Sequence, residues 1–110
     1  MNKVFQKFSV IIPILNESKN LEKLTIEISK YLKKISYEII FIDDNSSDNT
    51  SSVIKKIQKH NKRVKYYLRK NNPDLSLSCI LGFQKASFKN IVVMDGDLQH
   101  DPKYLMKMIK

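Results

Sequence analysis

Apolar segments recur along the chain, and each is followed by a polar stretch. The first covers residues 8–15 and is apolar on both faces, a pattern typical of a strand buried between two helical layers. Pro13 is predicted to mark the end of this strand, because proline cannot donate to a central hydrogen-bond ladder. A second buried strand is predicted over 37–42, a short third strand over 64–68 and a fourth strand over 91–94.

Amphipathic segments separate these strands. Apolar residues spaced three and four apart predict a first helix over 19–34. A second helix is predicted to begin at Asp48, Asn49 or Thr50, each of which suits an N-cap, and to end near Asn61. Strands that alternate with helices indicate a parallel sheet with right-handed crossovers.

The third helix is predicted over 75–86, with Cys79 in the core. The residues expected to share one face of this helix are Leu77, Ile80, Leu81 and Gln84. Pro102 suits the first turn of a last helix. That helix has room for about two turns before Lys110, so the sequence predicts one incomplete domain over 1–110, truncated at its C-terminus.

Composition excludes several classes of site. The chain has 110 residues, which suits one domain, and its two glycines cannot form a Gly-rich phosphate loop. The single cysteine excludes an internal disulfide and a cysteine-based zinc site. No apolar run reaches membrane-spanning length and residues 1–8 do not form a secretory signal, so a reducing cytoplasm is the expected compartment.

A formal net charge of +9 favours anionic partners: nucleic acid, an acidic membrane face or phosphorylated small molecules. The basic residues of 55–65 are interpreted as a solvated face, with a contact to anionic lipid as the alternative. His60 is expected to face solvent near a helix end. The scattered aromatic residues do not form the stacking platform that RNA readers use, which argues against nucleic acid.

Polar and acidic residues gather directly after the predicted strands. The carboxyl ends of parallel strands meet at one edge of the sheet, where ligands collect in open α/β folds. The residues in question are Asn16, Glu17, Asp43, Asp44, Asp95, Asp97, Gln99 and His100.

Asp95 and Asp97 flank Gly96 and can share one divalent ion, such as Mg²⁺ or Mn²⁺. Solvated turn carboxylates are the alternative. An EF-hand loop is excluded, because His100 and Met106 stand where that loop needs glycine and glutamate. The carboxylates after the second strand, Asp43 and Asp44, have two interpretations, a helix-capping turn or a nucleotide contact.

Three segments together resemble the N-terminal motifs of family-two glycosyltransferases with the GT-A fold. They are Val10-Ile-Ile-Pro-Ile-Leu-Asn-Glu17, Ile42-Asp-Asp-Asn-Ser-Ser-Asp-Asn-Thr50 and Val93-Met-Asp-Gly-Asp-Leu-Gln-His-Asp-Pro102. The last is most similar to the polyprenyl-phosphate sugar transferases, the dolichol-phosphate mannose synthase group.

The resemblance implies a Rossmann-like nucleotide-sugar-binding half with helices on both faces of about four strands. It implies that Pro13, Asn16 and Glu17 line the nucleotide pocket and that Asp43 contacts the base with Asp44 beside it. It also implies that Asp95, Asp97 and Gln99 hold Mg²⁺ or Mn²⁺ against the donor diphosphate, which gives Asp95 and Asp97 the catalytic roles.

The implied reaction is an inverting transfer from a nucleotide-diphosphate sugar to a polyprenyl phosphate, or to another glycan or lipid acceptor, at the inner face of a membrane. Asn45 departs from the glycine common after the paired aspartates, although asparagine can adopt the left-handed conformation. The acceptor half is absent from the sequence, so a second chain that supplies it is one expectation. A non-catalytic remnant and a basic binding module are the alternatives.

Overall fold

The computed structural model describes residues 7–94 of the chain. Strands and helices alternate as the sequence predicts, and the sheet is parallel throughout the described part. The elements are β1 (Lys7–Ile14), α1 (Ser18–Leu32), β2 (Ser36–Asp43), α2 (Thr50–His60), β3 (Val64–Leu68), α3 (Leu75–Lys85) and β4 (Asn90–Val93).

The strand order is β3-β2-β1-β4, so the first strand of the chain lies inside the sheet. The two crossovers through α1 and α2 lead from β1 towards β3, and the crossover through α3 returns to the opposite side of β1. Because right-handed crossovers in opposite directions place their helices on opposite faces, α3 lies on the face away from α1 and α2. The prediction of helices on both faces is confirmed.

The face covered by α1 and α2 holds the larger core. Alternate residues of β1 and β2 point to this face, and they include Val10, Ile12 and Phe41, all of which are fully buried. They pack against the apolar stripes of the two helices, whose buried members are Leu21, Leu24, Ile28, Leu32, Ile54 and Ile57. Burial of this many side chains makes the α1–α2 layer the main source of stability.

The face covered by α3 is built differently. Its buried cluster consists of Ile11, Ile40 and Ile42. The helix approaches the strands with small residues, since Ser78 and Gly82 are its buried positions. A Cβ at Gly82 would overlap Cγ2 of Ile11, so a larger residue at this close contact between α3 and β1 would force a shift of the helix or of Ile11.

The predicted face of the third helix is therefore wrong. Leu77 and Ile80 are about half-exposed, and of the predicted apolar residues it is Leu81 that packs against the cluster. Cys79 is half-buried and does not belong to the core. The spacing of apolar residues indicated the wrong face because the large apolar side chains Leu77 and Ile80 point away from the sheet, while small residues of α3 contact it.

Pro13 does not end the first strand, since β1 continues to Ile14 and Pro13 lies opposite Ile42 of β2. The Ile11 carbonyl accepts a hydrogen bond from Met94 N, so the backbone polar groups of Ile11 point towards β4. Because this direction alternates along a strand, the backbone of Pro13, two residues later, also points towards β4. The described pairing of β4 ends opposite Ile11. Proline is tolerated at position 13 because the N–H group that it lacks would point towards β4 beyond the last described residue pair of the two strands.

A buried carboxylate ties the α3–β4 turn to the sheet near the amino ends of the strands. Glu38 accepts hydrogen bonds from Ser9 Oγ at 2.6 Å, Ser87 N at 2.6 Å and Lys65 Nζ at 2.5 Å. Although burial raises the pKa of Glu38, these donors and the Lys65 charge outweigh it and hold that pKa below its usual value.

Within residues 7–94, no helix has both the length and the apolar character that crossing a membrane requires.

Candidate functional site

The carboxyl ends of the two inner strands lie side by side. Ile14 at the end of β1 pairs with Asp43 at the end of β2, and the Ile14 carbonyl accepts from Asp44 N at 2.8 Å. The loops that carry Asn16 and Asp44 therefore leave the sheet at neighbouring points. The gathering of polar residues predicted for this edge is confirmed for those that fall within the described chain.

Asn16 connects the two loops. Its backbone has a φ of 54°, in the left-handed region that asparagine tolerates. Its side-chain Oδ1 accepts hydrogen bonds from Ser47 N at 2.8 Å and Asp48 N at 3.2 Å, while its own N–H donates to Ser46 Oγ at 2.9 Å. The side chain thus fixes the position of the loop after β2.

Asp43 is 2% exposed and has partners on both carboxylate oxygens. Ser46 N donates to Oδ1 at 2.8 Å, and the Tyr66 hydroxyl donates to Oδ2 at 2.6 Å. Burial together with the bond to this carboxylate raises the pKa of Tyr66, so Tyr66 stays protonated and donating at any physiological pH. A carboxylate has about four acceptor sites, and these two donors fill two of those on Asp43.

Asp44 forms an ion pair with Arg69, and both side chains are 9% exposed. The second oxygen of Asp44 accepts from Asp74 N at 2.7 Å, and Asp74 in turn caps α3 by accepting from Leu77 N at 3.0 Å. The Arg69 backbone N–H donates to the Asp43 carbonyl at 2.8 Å. The pair therefore joins the ends of β2 and β3 to the start of α3.

Asp48 closes the loop onto α2. Its carboxylate accepts from the Thr50 N–H and hydroxyl and from Ser18 N. These bonds outweigh desolvation and hold the pKa of Asp48 below its usual value. The N-cap position itself is Asn49, whose side chain forms no capping bond.

Asn45 has a φ of 71°, so the left-handed conformation anticipated for this residue is present.

Glu17 and Pro13 lie on the β1 side of the edge. Glu17 is half-buried at the start of α1, and its carbonyl accepts from Asn20 N at 3.0 Å. Pro13 is half-buried inside β1, one residue before the strand ends.

The predicted metal ligands Asp95, Asp97 and Gln99 lie outside the described residues, as does His100. The last described residue is Met94, which directly follows β4 and whose N–H donates to the Ile11 carbonyl at 3.0 Å. Between residues 7 and 94 no three His, Cys, Asp or Glu side chains form a group that could hold a metal ion.

Arg69 and Tyr66 are site residues that the sequence analysis missed. Tyr66 lies in β3 and Arg69 directly follows it. They reach the site because β3 pairs with β2 in a register that sets Leu68 opposite Asp43. An arginine directly after a predicted strand, at the edge that carries the aspartates, was the available signal.

The family model for glycosyl transferase family 2 matches residues 9–110, nearly the whole chain. The chain belongs to this family. A dolichol-phosphate mannosyltransferase from Pyrococcus furiosus is 41% identical over 104 residues, which are 94% of this chain and 29% of that protein. A dolichol-phosphate mannosyltransferase from Saccharomyces cerevisiae is 32% identical over 108 residues, 94% of this chain and 40% of that protein. The chain thus spans well under half the length of these relatives.

Solved structures with the Rossmann-like GT-A fold superimpose on this chain. A mannosyltransferase from Pyrobaculum calidifontis, solved in complex with GDP-Man and Mn²⁺, superimposes with a TM-score of 0.76 at 18% identity, over 86% of this chain and 29% of that one. Glucosyl-3-phosphoglycerate synthase from Mycobacterium tuberculosis, solved with UDP, has a TM-score of 0.74 at 20% identity, over 94% of this chain and 39% of that one. The predicted Rossmann-like GT-A architecture is confirmed.

Proposed function

We propose that this family-2 chain binds a nucleotide-diphosphate sugar at the carboxyl edge of its sheet and contributes the donor half of a site that transfers the sugar to a polyprenyl phosphate. The observation that carries the proposal is the connected network at this edge. Asp43 is the last residue of β2, and Asn16 and Asp44 lie on the adjoining loops. The three residues are held by bonds to Ser46, Ser47, Tyr66 and Arg69.

The network suits the nucleoside part of such a donor. Asp43 and Asp44 are oriented by their partners before a ligand arrives, so little side-chain freedom is lost on binding. The spare acceptor sites on Asp43 suit an N–H of the base, with Asp44 beside it. Pro13, Asn16 and Glu17 would line the pocket from the β1 side.

Asp95, Asp97 and Gln99 would hold Mg²⁺ or Mn²⁺, since two carboxylates and an amide oxygen are the hard ligands these ions prefer. The ion would act as a Lewis acid that neutralises charge on the departing nucleoside diphosphate. The Mn²⁺ in the structure of the Pyrobaculum calidifontis mannosyltransferase supports a divalent ion in proteins of this fold.

The names of the relatives support a dolichol-phosphate type of acceptor. In the proposed step a phosphate oxygen of the acceptor attacks the anomeric carbon, the bond to the nucleoside diphosphate breaks, and the configuration inverts. Because that oxygen is already an anion, the step needs no strong general base. The residues that bind the acceptor would lie in the part of the relatives that this chain does not span, or would come from a second chain.

Thermal stabilisation by nucleotides tests the proposal. GDP or UDP with Mn²⁺ is expected to raise the melting temperature of the chain by several degrees, while nucleotide without Mn²⁺ gives a clearly smaller rise. Asp95→Ala and Asp97→Ala should abolish the part that depends on Mn²⁺, and Asp101→Ala serves as a control for loss of a nearby carboxylate. Equal stabilisation of all three variants would show that the metal assignment is wrong.

A further inference from the structure

The positive charge of the chain is concentrated in one layer of the fold. Residues 18–34 and 50–63, which contain α1 and α2 and the turns that end them, carry ten basic and two acidic residues, a net charge of +8. The rest of the chain carries ten basic and nine acidic residues. Nearly all of the formal charge of +9 therefore belongs to the face of the sheet opposite α3.

All ten of these basic side chains are exposed, so the layer presents a cationic surface to solvent. The α1 and α2 helices pack side by side, and an open groove of about 350 Å³ runs between them. Ile26 lines this groove together with Glu22 and is 62% exposed. The lysines of the two helices lie outside the groove lining, so the layer combines an exposed basic surface with one exposed aliphatic side chain, and both features suit an anionic bilayer surface.

Two kinds of polyanion could match this charge, and the surface chemistry favours lipid. A surface that binds single-stranded nucleic acid usually offers exposed aromatic rings for stacking. Within α1 and α2 the one aromatic residue is Tyr31, which is half-buried and has Lys30 Nζ 5.6 Å from its ring centroid. An aliphatic side chain such as Ile26 is suited to insertion between lipid headgroups instead.

We propose that the α1–α2 face docks on an anionic lipid bilayer, with lysines of both helices against the headgroups and Ile26 inserted between them. This surface is separate from the carboxyl edge that would bind the donor. Failure of the docking test therefore leaves the proposed donor site intact, and the reverse also holds.

Vesicle co-sedimentation of the purified chain is the first test. The chain is expected to bind vesicles of phosphatidylcholine and phosphatidylglycerol in equal parts, to release them as salt is raised, and to ignore pure phosphatidylcholine. Soluble glycerol phosphate at the same phosphate concentration should not compete. Equal binding to both kinds of vesicle, or displacement by glycerol phosphate, would overturn the proposal, as would tighter binding to single-stranded RNA than to anionic vesicles.

Charge reversal on two faces separates docking from net charge. Lys56→Glu with Lys59→Glu on α2 should weaken vesicle binding by about tenfold or more, since each basic residue near an anionic surface contributes a severalfold effect. Lys85→Glu with Lys89→Glu makes the same change in net charge on the α3 side, and is expected to change binding by less than about threefold. Equal losses for the two variants would overturn the assignment of the face.

Ile26→Trp reports insertion directly, because the natural chain has no tryptophan. Its fluorescence is expected to shift to shorter wavelength when anionic vesicles are added. Leu77→Trp, at a 48% exposed position on α3, should show no shift under the same conditions. Vesicle binding without a shift at position 26, or with equal shifts at both positions, would contradict the proposed orientation.

Discussion

The two faces of the sheet are covered to very different degrees. On one face α1 and α2 bury a continuous core in which many large side chains have no exposed surface. On the other face α3 covers β1 and β2 with small residues and leaves six large apolar side chains partly exposed: Leu75, Leu77, Ile80, Phe83, Ile91 and Val93. The comparison shows that the α1–α2 layer is complete within the described residues, while the α3 layer leaves apolar surface open on itself and on β4.

Matched isoleucine truncations test this difference most strongly. Ile28→Ala removes a fully buried side chain from the α1–α2 core and is expected to cost about 2–5 kcal/mol of unfolding free energy. Ile80→Ala makes the same chemical change at a position that is 47% exposed on α3, and should cost about 0.5 kcal/mol or less. Urea denaturation of both variants measures the two values. Similar costs would mean that the α3 surface is covered in solution.

Gly82→Ala tests the close contact on the α3 face. The added methyl group would overlap Cγ2 of buried Ile11, so we expect a loss of about 1–3 kcal/mol despite the higher helix propensity of alanine. The same substitution in an Ile11→Ala background should cost much less, because the overlapping atom is gone. Ser76→Ala at an exposed position of α3 provides the control for helix propensity alone. Additive costs of Gly82→Ala and Ile11→Ala would refute the proposed overlap.

The Glu38 network gives the smallest effect, and it depends on pH. Because the pKa of Glu38 is lowered in the folded state, the carboxylate stabilises the fold above its unfolded pKa, and this contribution is lost as pH falls through the folded value. Glu38→Gln should therefore cost about 1 kcal/mol at neutral pH and flatten the loss of stability in acid. Unfolding free energies measured from neutral pH to below the usual glutamate range test this. An unchanged acid slope would mean that Glu38 is not coupled to stability.

Sequence reasoning predicted the elements that depend on local pattern. The four strands and the three described helices begin and end within about two residues of the predictions, since buried strands and amphipathic helices have distinct periods. The loops after β1 and β2 were placed at one edge correctly, because parallel topology brings the ends of adjacent strands together.

What sequence reasoning missed depends on pairing between distant elements. The ion pair between Arg69 and Asp44 exists because β3 pairs with β2 in a particular register, and one sequence does not specify that register. The buried face of α3 was missed for a related reason. Its contact with β1 requires small residues at 78 and 82, whereas hydrophobic periodicity identifies large ones.

The strand order also has a consequence for how the polypeptide acquires its structure during synthesis. β1, β2 and β3 form one side of the sheet together with α1 and α2, and all five elements are complete by Leu68. Most of the larger core is therefore available to a nascent chain before β4 has left the ribosome, since translation proceeds from the N-terminus. The β4 strand then pairs with the free edge of β1, and more than seventy residues separate the two strands along the chain. Closing so long a loop costs more conformational entropy than the pairing of β1 with β2.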